Sequence, residues 1–226
     1  MKYLLIWDID GTLIQTRGLG KKAMNIAFLE LHRVENAFQN IKMSGMLDPV
    51  ILETAYELHR INMADRNSIN FFNRYIQILE ALFREHNRSI ACAGVPELLA
   101  TLDKTGCFYN VLGTGNIERG ARIKLSVDDL NRFFPTGGFG DEETERWRVI
   151  EKALVNARNH FKIEFENKNI FVIGDTSKDI ACGKKLGTRT IAVATGSFSC
   201  TELHEYNPDY VFENLKDTEN FLRAFE

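Results

Sequence analysis

The stretch Tyr3-Leu4-Leu5-Ile6-Trp7-Asp8-Ile9-Asp10-Gly11-Thr12-Leu13 decides how the whole chain is read. Its first five residues form an unbroken apolar run, the pattern of a strand buried on both faces of a parallel sheet. The run ends in two carboxylates, Asp8 and Asp10, followed by Gly11, which lets the backbone turn sharply. Side chains two apart leave a strand on the same side, so the two acids start out together at its carboxyl end.

Similar short runs recur later. Phe108-Tyr109-Asn110-Val111-Leu112 precedes Gly113-Thr114-Gly115-Asn116, Ile170-Phe171-Val172-Ile173 precedes Gly174-Asp175-Thr176, and Thr190-Ile191-Ala192-Val193 precedes Ala194-Thr195-Gly196. Tyr210-Val211-Phe212 is the last. Each follows a stretch of helical period. Residues 95–104 carry Pro96 in a first turn, residues 143–160 space Trp147, Ile150, Leu154 and Ala157 along one face, and residues 177–186 stop at Gly187. Strands alternating with helices predict an α/β fold, a doubly wound parallel sheet. Such sheets bind ligands beyond the carboxyl ends of their strands. Asp8/Asp10, Thr114 and Asp175 stand at three of those ends. Gly, Asp and Thr also favour plain turns, but three such ends together exceed what turn chemistry requires.

Residues 16–88 differ. They contain no strand-like run and predict helices near 19–34, 49–62 and 68–88. Asp48-Pro49 suits the start of the second, with Asp as cap and Pro in the first position. The expected organisation is therefore a core of residues 1–15 and 89–226, with residues 16–88 as a small all-helical domain inserted after the first strand. Thr16-Arg17-Gly18 and residues 89–94 would be its two connections.

Length and composition agree with this. The chain has 226 residues, enough for one large domain or one with an insert. At 44% hydrophobic and 26% charged, with only 4 Pro, it is neither collagen-like nor disordered. Lys+Arg 28 against Asp+Glu 31 leaves a net charge of −3, without the basic footprint of a nucleic-acid binder. Cys92, Cys107, Cys182 and Cys200 form no C-x-x-C pair and read as reduced thiols. The N-terminal apolar run is too short for a signal core, and no run approaches the roughly 18 apolar residues of a membrane span. A cytoplasmic protein with no membrane partner is the expectation; oligomeric state is not legible.

The acids carry the chemistry. Asp175 ends one strand and Asp179 follows one helical turn later. Several carboxylates gathered in a partly dry cleft need a cation, and an all-oxygen set with few protein ligands suits Mg²⁺. A carboxylate can also attack phosphorus to form an aspartyl phosphate. That reaction needs a partner for the leaving-group proton, which Asp10 could be. It needs donors for the phosphoryl oxygens, for which the Thr114 hydroxyl and the Gly115 N–H are suited. It also needs a fixed positive charge, for which Arg146, Arg148 and Lys152 are candidates.

These residues resemble the haloacid dehalogenase superfamily, in its phosphatase branch with a helical C1-type cap, as in phosphoglycolate phosphatases. Asp8-Ile9-Asp10-Gly11-Thr12-Leu13 matches that family's first motif, D-x-D-G-T-L; Thr114-Gly115-Asn116 resembles the second; Gly174-Asp175-Thr176-Ser177-Lys178-Asp179 resembles the fourth, G-D-x-x-x-D. The resemblance implies that Asp8 is the nucleophile and that Asp10 is general acid/base and lends its backbone carbonyl to Mg²⁺. It implies Asp175 as metal ligand, Asp179 as ligand or ligand support, and residues 16–88 as the cap. The family's third motif, a Lys often followed by Pro, is missing. Arg146 is the expected replacement, because Ile150 and Ala153 continue one helix face behind it; Arg148 is the runner-up. Arg keeps the charge and adds a planar fork, so phosphate binding should survive.

The resulting expectation is a Mg²⁺-dependent phosphatase acting on a small phosphorylated metabolite. Asp8 and Asp10 would be catalytic, Thr114, Gly115 and Arg146 would hold the phosphoryl group, and Asp8, Asp10, Asp175 and Asp179 would surround the metal. The second Asp separates this reading from the dehalogenases, which need no leaving-group proton. A phosphomutase of the β-phosphoglucomutase type would use the same site. A non-catalytic phosphate-binding regulator is the alternative from another class. Lys21 and Lys22 could form the Schiff base of phosphonate-cleaving members, but a solvated helix start explains them as well. No G-x-G-x-x-G or P-loop spacing occurs. Phe71, Phe72 and Tyr75 are expected in the core, Arg17 as a solvated hinge charge, and His32, His59, His86, His160 and His204 on helix surfaces.

Overall fold

The computed structural model describes residues 1–85, 90–141 and 143–226. The end of the third expected helix, His86, the boundary at 88/89 and the start of the second connection lie outside the described residues.

Six parallel strands form one sheet: β1 (Tyr3–Trp7), β2 (Phe108–Gly113), β3 (Gly137–Gly138), β4 (Ile170–Gly174), β5 (Arg189–Val193) and β6 (Tyr210–Phe212), in the order β3-β2-β1-β4-β5-β6. β1 lies at the centre, pairing Trp7 with Leu112 on one side and with Ile173 on the other. Its residues 4–7 are buried, as a strand covered on both faces requires. The chain first winds outward through β2 and β3, then restarts at β4 on the other side of β1. The crevice at that switch point opens above Asp8.

The expected runs became β1, β2, β4, β5 and β6. β3 is additional. It is only Gly137–Gly138 and carries no apolar signature. A Cβ at Gly138 would overlap the Val149 carbonyl, so glycine is what lets a helix lie directly on this edge. That helix is α6 (Arg146–Phe161).

The core helices are α4 (Val95–Thr105), α5 (Glu118–Ser126), α6 (Arg146–Phe161), α7 (Ser177–Lys185), α8 (Cys200–His204) and α9 (Thr218–Leu222). Between β1 and β2 lie α1 (Leu19–His32), α2 (Asp48–Leu58) and α3 (Ser68–Glu85). α1 packs on α3, and α3 reaches α5 of the core. Met24, Phe28, Phe71 and Tyr75 of these inserted helices belong to the same apolar cluster as Trp7, Leu112 and Leu125. Polar bonds cross as well: Lys178 Nζ donates to the Ser44 carbonyl at 3.1 Å, and Arg119 Nη1 to Asn73 Oδ1 at 3.0 Å.

Several local readings are corrected. Asp48 does not cap α2: Leu47 holds the N-cap position without a side-chain bond, and Asp48 lies inside the first turn with its carboxylate turned elsewhere. α5 opens at Glu118, just after Asn116, whose side chain is engaged in the cleft. His32 and His59 are half-buried rather than on the helix surface, because both rings pack on Phe28. His160 and His204 are exposed. All four cysteines are free thiols. Among the described residues no helix is long and apolar enough to cross a membrane.

Candidate active site

Asp8 is the first residue past β1, held in line by its N–H on the Ile173 carbonyl at 2.9 Å. Gly11 then turns the chain with φ +87, and a Cβ there would collide with the Asp175 carboxylate. A Cβ at Gly196, after β5, would collide with the same group. Two glycines thus make room for one acid. Asp175 leaves β4, and Thr176 begins α7 with a capping box: its hydroxyl and N–H both donate to Asp179 Oδ2, at 2.7 and 3.1 Å.

These turns bring Asp8, Asp175 and Asp179 together. One carboxylate oxygen from each lies within 4.8 Å of the others, and all three residues are buried. Burial pushes the Asp8 carboxyl up to about 6, although the adjacent Arg146 charge opposes this. Asp175 rises to about 8 through burial and the neighbouring Asp8 and Asp179 charges. Crowded, desolvated acids of this kind are relieved by a divalent cation, and an all-carboxylate set suits Mg²⁺. Asp179 is the least available ligand. Its Oδ2 is taken by Thr176, and its Oδ1 accepts Arg146 Nε at 3.1 Å and Nη2 at 2.7 Å.

Arg146 is buried at the first turn of α6, with Ile150 and Ala153 on the face behind it. Its Nη2 also lies 2.7 Å from Asp8 Oδ1, so one guanidinium bridges the two acids. Arg148 instead points outward, pairing with Glu145 at 3.1 Å. The structure therefore brings Arg146, and not Arg148, to the acids.

On the other side, Thr114 is fully buried beyond β2. Its hydroxyl oxygen accepts from Asn116 N at 3.3 Å and Asn116 Nδ2 at 2.8 Å, which leaves its proton free to donate. Gly115 lies under the chain entering α2; a Cβ there would overlap the Met46 carbonyl and press on Arg146. Asp10 does not join the carboxylate cluster. Its Oδ2 accepts from Lys124 Nζ at 2.7 Å and Asn116 Nδ2 at 2.8 Å. The Lys124 charge and these bonds hold the Asp10 carboxyl below its usual range.

The sequence reading missed Lys124, the site role of Asn116, and the true place of Asp48. Lys124 shares the buried face of α5 with Ala121 and Leu125, at helical spacing from Ala121. A lysine on an apolar face was the available signal. Asp48 Oδ2 accepts from Ile117 N at 3.0 Å, and its own N–H donates to the Gly115 carbonyl at 2.8 Å, clasping α2 to the Thr114 loop. Nothing local in the sequence announces that contact.

Asp8, Asp10, Asp48, Thr114, Asn116, Lys124, Arg146 and Asp175 line one cleft of about 500 Å³, between the sheet's carboxyl edge and the inserted helices. Its far wall includes Arg17, Lys21, Met24, Met46, Ile51 and Tyr75. Tyr75 is core, as expected, but also faces the cleft. Its buried hydroxyl has no hydrogen-bond partner among the described residues.

Known proteins resemble this chain over most of its length. The profile of a family described as haloacid dehalogenase-like hydrolase matches residues 5–193. Pyrophosphatase PpaX of Oceanobacillus iheyensis is 24% identical over 94% of this chain and 93% of its own. Pyrophosphatase PpaX of Listeria monocytogenes is 26% identical over 98% and 97%. A hydrolase from Pseudomonas syringae has the same fold in its crystal structure, with a TM-score of 0.72 at 21% identity, covering 98% of each chain.

Proposed function

The chain belongs to the haloacid dehalogenase-like hydrolase family, as a phosphatase of that family, and from this premise we propose a Mg²⁺-dependent phosphatase that works through an aspartyl phosphate on Asp8. One observation carries the reading. Asp8 and Asp175, which line the cleft, gather with the buried Asp179 so that one carboxylate oxygen of each lies within 4.8 Å of the others, and Arg146 is 2.7 Å from Asp8. Such a gathering supports a phosphoryl group held between a nucleophile, a fixed cation and a metal.

Asp8, Asp175 and the Asp10 backbone carbonyl would hold the ion, and Asp179 would fix Arg146. When bound, Mg²⁺ supplies charge neutralisation to the phosphoryl oxygens and the crowded acids. The side chains do the rest. An Asp8 oxygen attacks phosphorus, the bond from phosphorus to the leaving oxygen breaks, and Asp10 gives that oxygen its proton. Asp10 then takes a proton from water, which attacks the phosphorus of the aspartyl phosphate. Phosphate leaves and Asp8 is restored. Arg146, the Thr114 hydroxyl and the Gly115 N–H hold the transferring oxygens.

Residues 16–88 would form the cap of this site, excluding water while the phosphoryl group moves. The substrate would be a small phosphate ester or anhydride. Pyrophosphate belongs among the candidates, because Arg17 and Lys21 add positive charge to the far wall and the PpaX relatives carry that name. Free thiols suit a reducing, cytoplasmic setting. The test is a hydrolysis panel with Mg²⁺ containing pyrophosphate, phosphoglycolate and sugar phosphates. Release of inorganic phosphate from at least one is expected; isomerised product without free phosphate, or intact binding without turnover, would overturn the reading.

A further inference from the structure

Resting on the phosphatase reading, we infer that Lys124 is a positioning residue for the leaving-group acid: with Asn116 it pins Asp10 by one oxygen and leaves the other to deliver the proton. Asp10 is the more open partner, with 39% of its side chain exposed, whereas the Lys124 side chain is 6% exposed. Both donors end on the same atom. Lys124 Nζ reaches Asp10 Oδ2 at 2.7 Å and Asn116 Nδ2 reaches it at 2.8 Å. Lys124 Nζ also donates to Asn116 Oδ1 at 2.5 Å, closing a triangle of three side chains. Asn116 Nδ2 in turn touches the Thr114 hydroxyl at 2.8 Å, so the triangle is tied to a phosphoryl-binding group.

The consequence for chemistry is specific. Rotation about a carboxyl's last torsion is broad and easy, so a free Asp10 would present either oxygen. Two donors on Oδ2 occupy its acceptor sites and favour the ionised carboxylate at rest, so the proton that Asp10 takes up from water or substrate in each turnover settles on Oδ1. In the transfer step that proton moves from Oδ1 to the leaving oxygen as its bond to phosphorus breaks. Packing alone does not account for Lys124. The position lies between buried Ala121 and Leu125 on the inward face of α5, where an apolar side chain would pack without the cost of desolvating an ammonium.

The experiment compares Lys124→Met and Lys124→Gln with the parent enzyme in Mg²⁺, on an alkyl phosphate and on dinitrophenyl phosphate. An alkoxide must be protonated as it leaves, whereas dinitrophenolate departs as an anion. For the alkyl ester kcat/KM, which reports the steps up to departure of the alcohol and leaves out the hydrolysis of the aspartyl phosphate that both esters share, should fall about 100-fold or more, the size of a general-acid contribution. The loss on dinitrophenyl phosphate should be smaller by a factor of about 10 at least. In an Asp10→Asn background, the Lys124 change should add no further loss on the alkyl ester. Equal losses on both esters in the variants that melt cooperatively, or an additive loss in the Asp10→Asn background, would overturn the inference while leaving the phosphatase reading intact. A raised KM with kcat retained would instead make Lys124 a substrate contact. Failure of the parent enzyme to hydrolyse either ester would count against the phosphatase reading itself, and this role would fall with it.

Discussion

Arg146 Nη2 lies 2.7 Å from Asp8 Oδ1, joining the first turn of α6 to the end of β1 through a buried charge pair. The same nitrogen is 2.7 Å from Asp179 Oδ1, so Arg146 holds two acids that would otherwise repel. Arg146→Ala should therefore lower kcat/KM on p-nitrophenyl phosphate by about 10²–10³, the range for losing one preorganised donor to a developing charge. Arg146→Lys, which keeps the charge but not the fork, should recover part of that loss. Unchanged kinetics in Arg146→Ala would remove it from the site.

The carboxylate cluster predicts a metal-dependent melting point. Saturating Mg²⁺, at about 100 times its dissociation constant, would add about 2.7 kcal/mol to the folded state. For a chain of this length that is a rise in Tm of roughly 5–10 °C. Asp175→Asn should lose most of the rise, because it removes a buried acid beside Asp8. A melting curve indifferent to millimolar Mg²⁺ in the parent protein would contradict the cluster's assignment.

Asp48 predicts a pH effect on stability. Burial pushes its carboxyl to about 6, above the ordinary 3.8, although Lys124 and the Ile117 N–H pull the other way. A raised carboxyl favours the folded state in its neutral form. Its contribution is fully present below 3.8 and is lost as the pH climbs through about 6. Asp48→Asn keeps an acceptor for Ile117 N and cannot ionise. The variant should gain on the parent protein between pH 4 and pH 7.5, by up to about 3 kcal/mol. Thermal melts of the two proteins at both pH values check this; parallel pH profiles would contradict it.

Gly115 predicts a steric effect without a charge change. A Cβ there would overlap the Met46 backbone carbonyl and crowd Arg146 Nη1, whose guanidinium is already tied to Asp8 and Asp179. Gly115→Ala should reduce turnover strongly while the far-UV spectrum stays native, because the Thr114 loop would part from α2. Full activity in this variant would show that the close approach is not required.

The sequence made the sheet legible because buried parallel strands are continuous apolar runs, and Asp8 and Asp175 each follow one. Arg146 was legible because Ile150 and Ala153 mark the face behind it. β3 was not, since Gly137–Gly138 is chosen for close packing against Val149 rather than for hydrophobicity. Asp48 satisfied a local capping pattern, but the Ile117 N–H across the cleft competed for its carboxylate and won. Lys124 carries its signal only as a charge on a buried helix face, a pattern that does not say which acid it meets. Local periodicity specified the elements; contacts between residues about seventy or a hundred positions apart specified the remainder of the site.

The most direct test is to quench the enzyme in acid during turnover with Mg²⁺ and map any bound phosphoryl group by mass spectrometry, beside an Asp8→Asn control. The account predicts a hydroxylamine-sensitive phosphoryl group on the peptide containing Asp8, with neither labelling nor turnover in Asp8→Asn. Turnover retained in Asp8→Asn, or a phosphoryl group on any other residue, would contradict it.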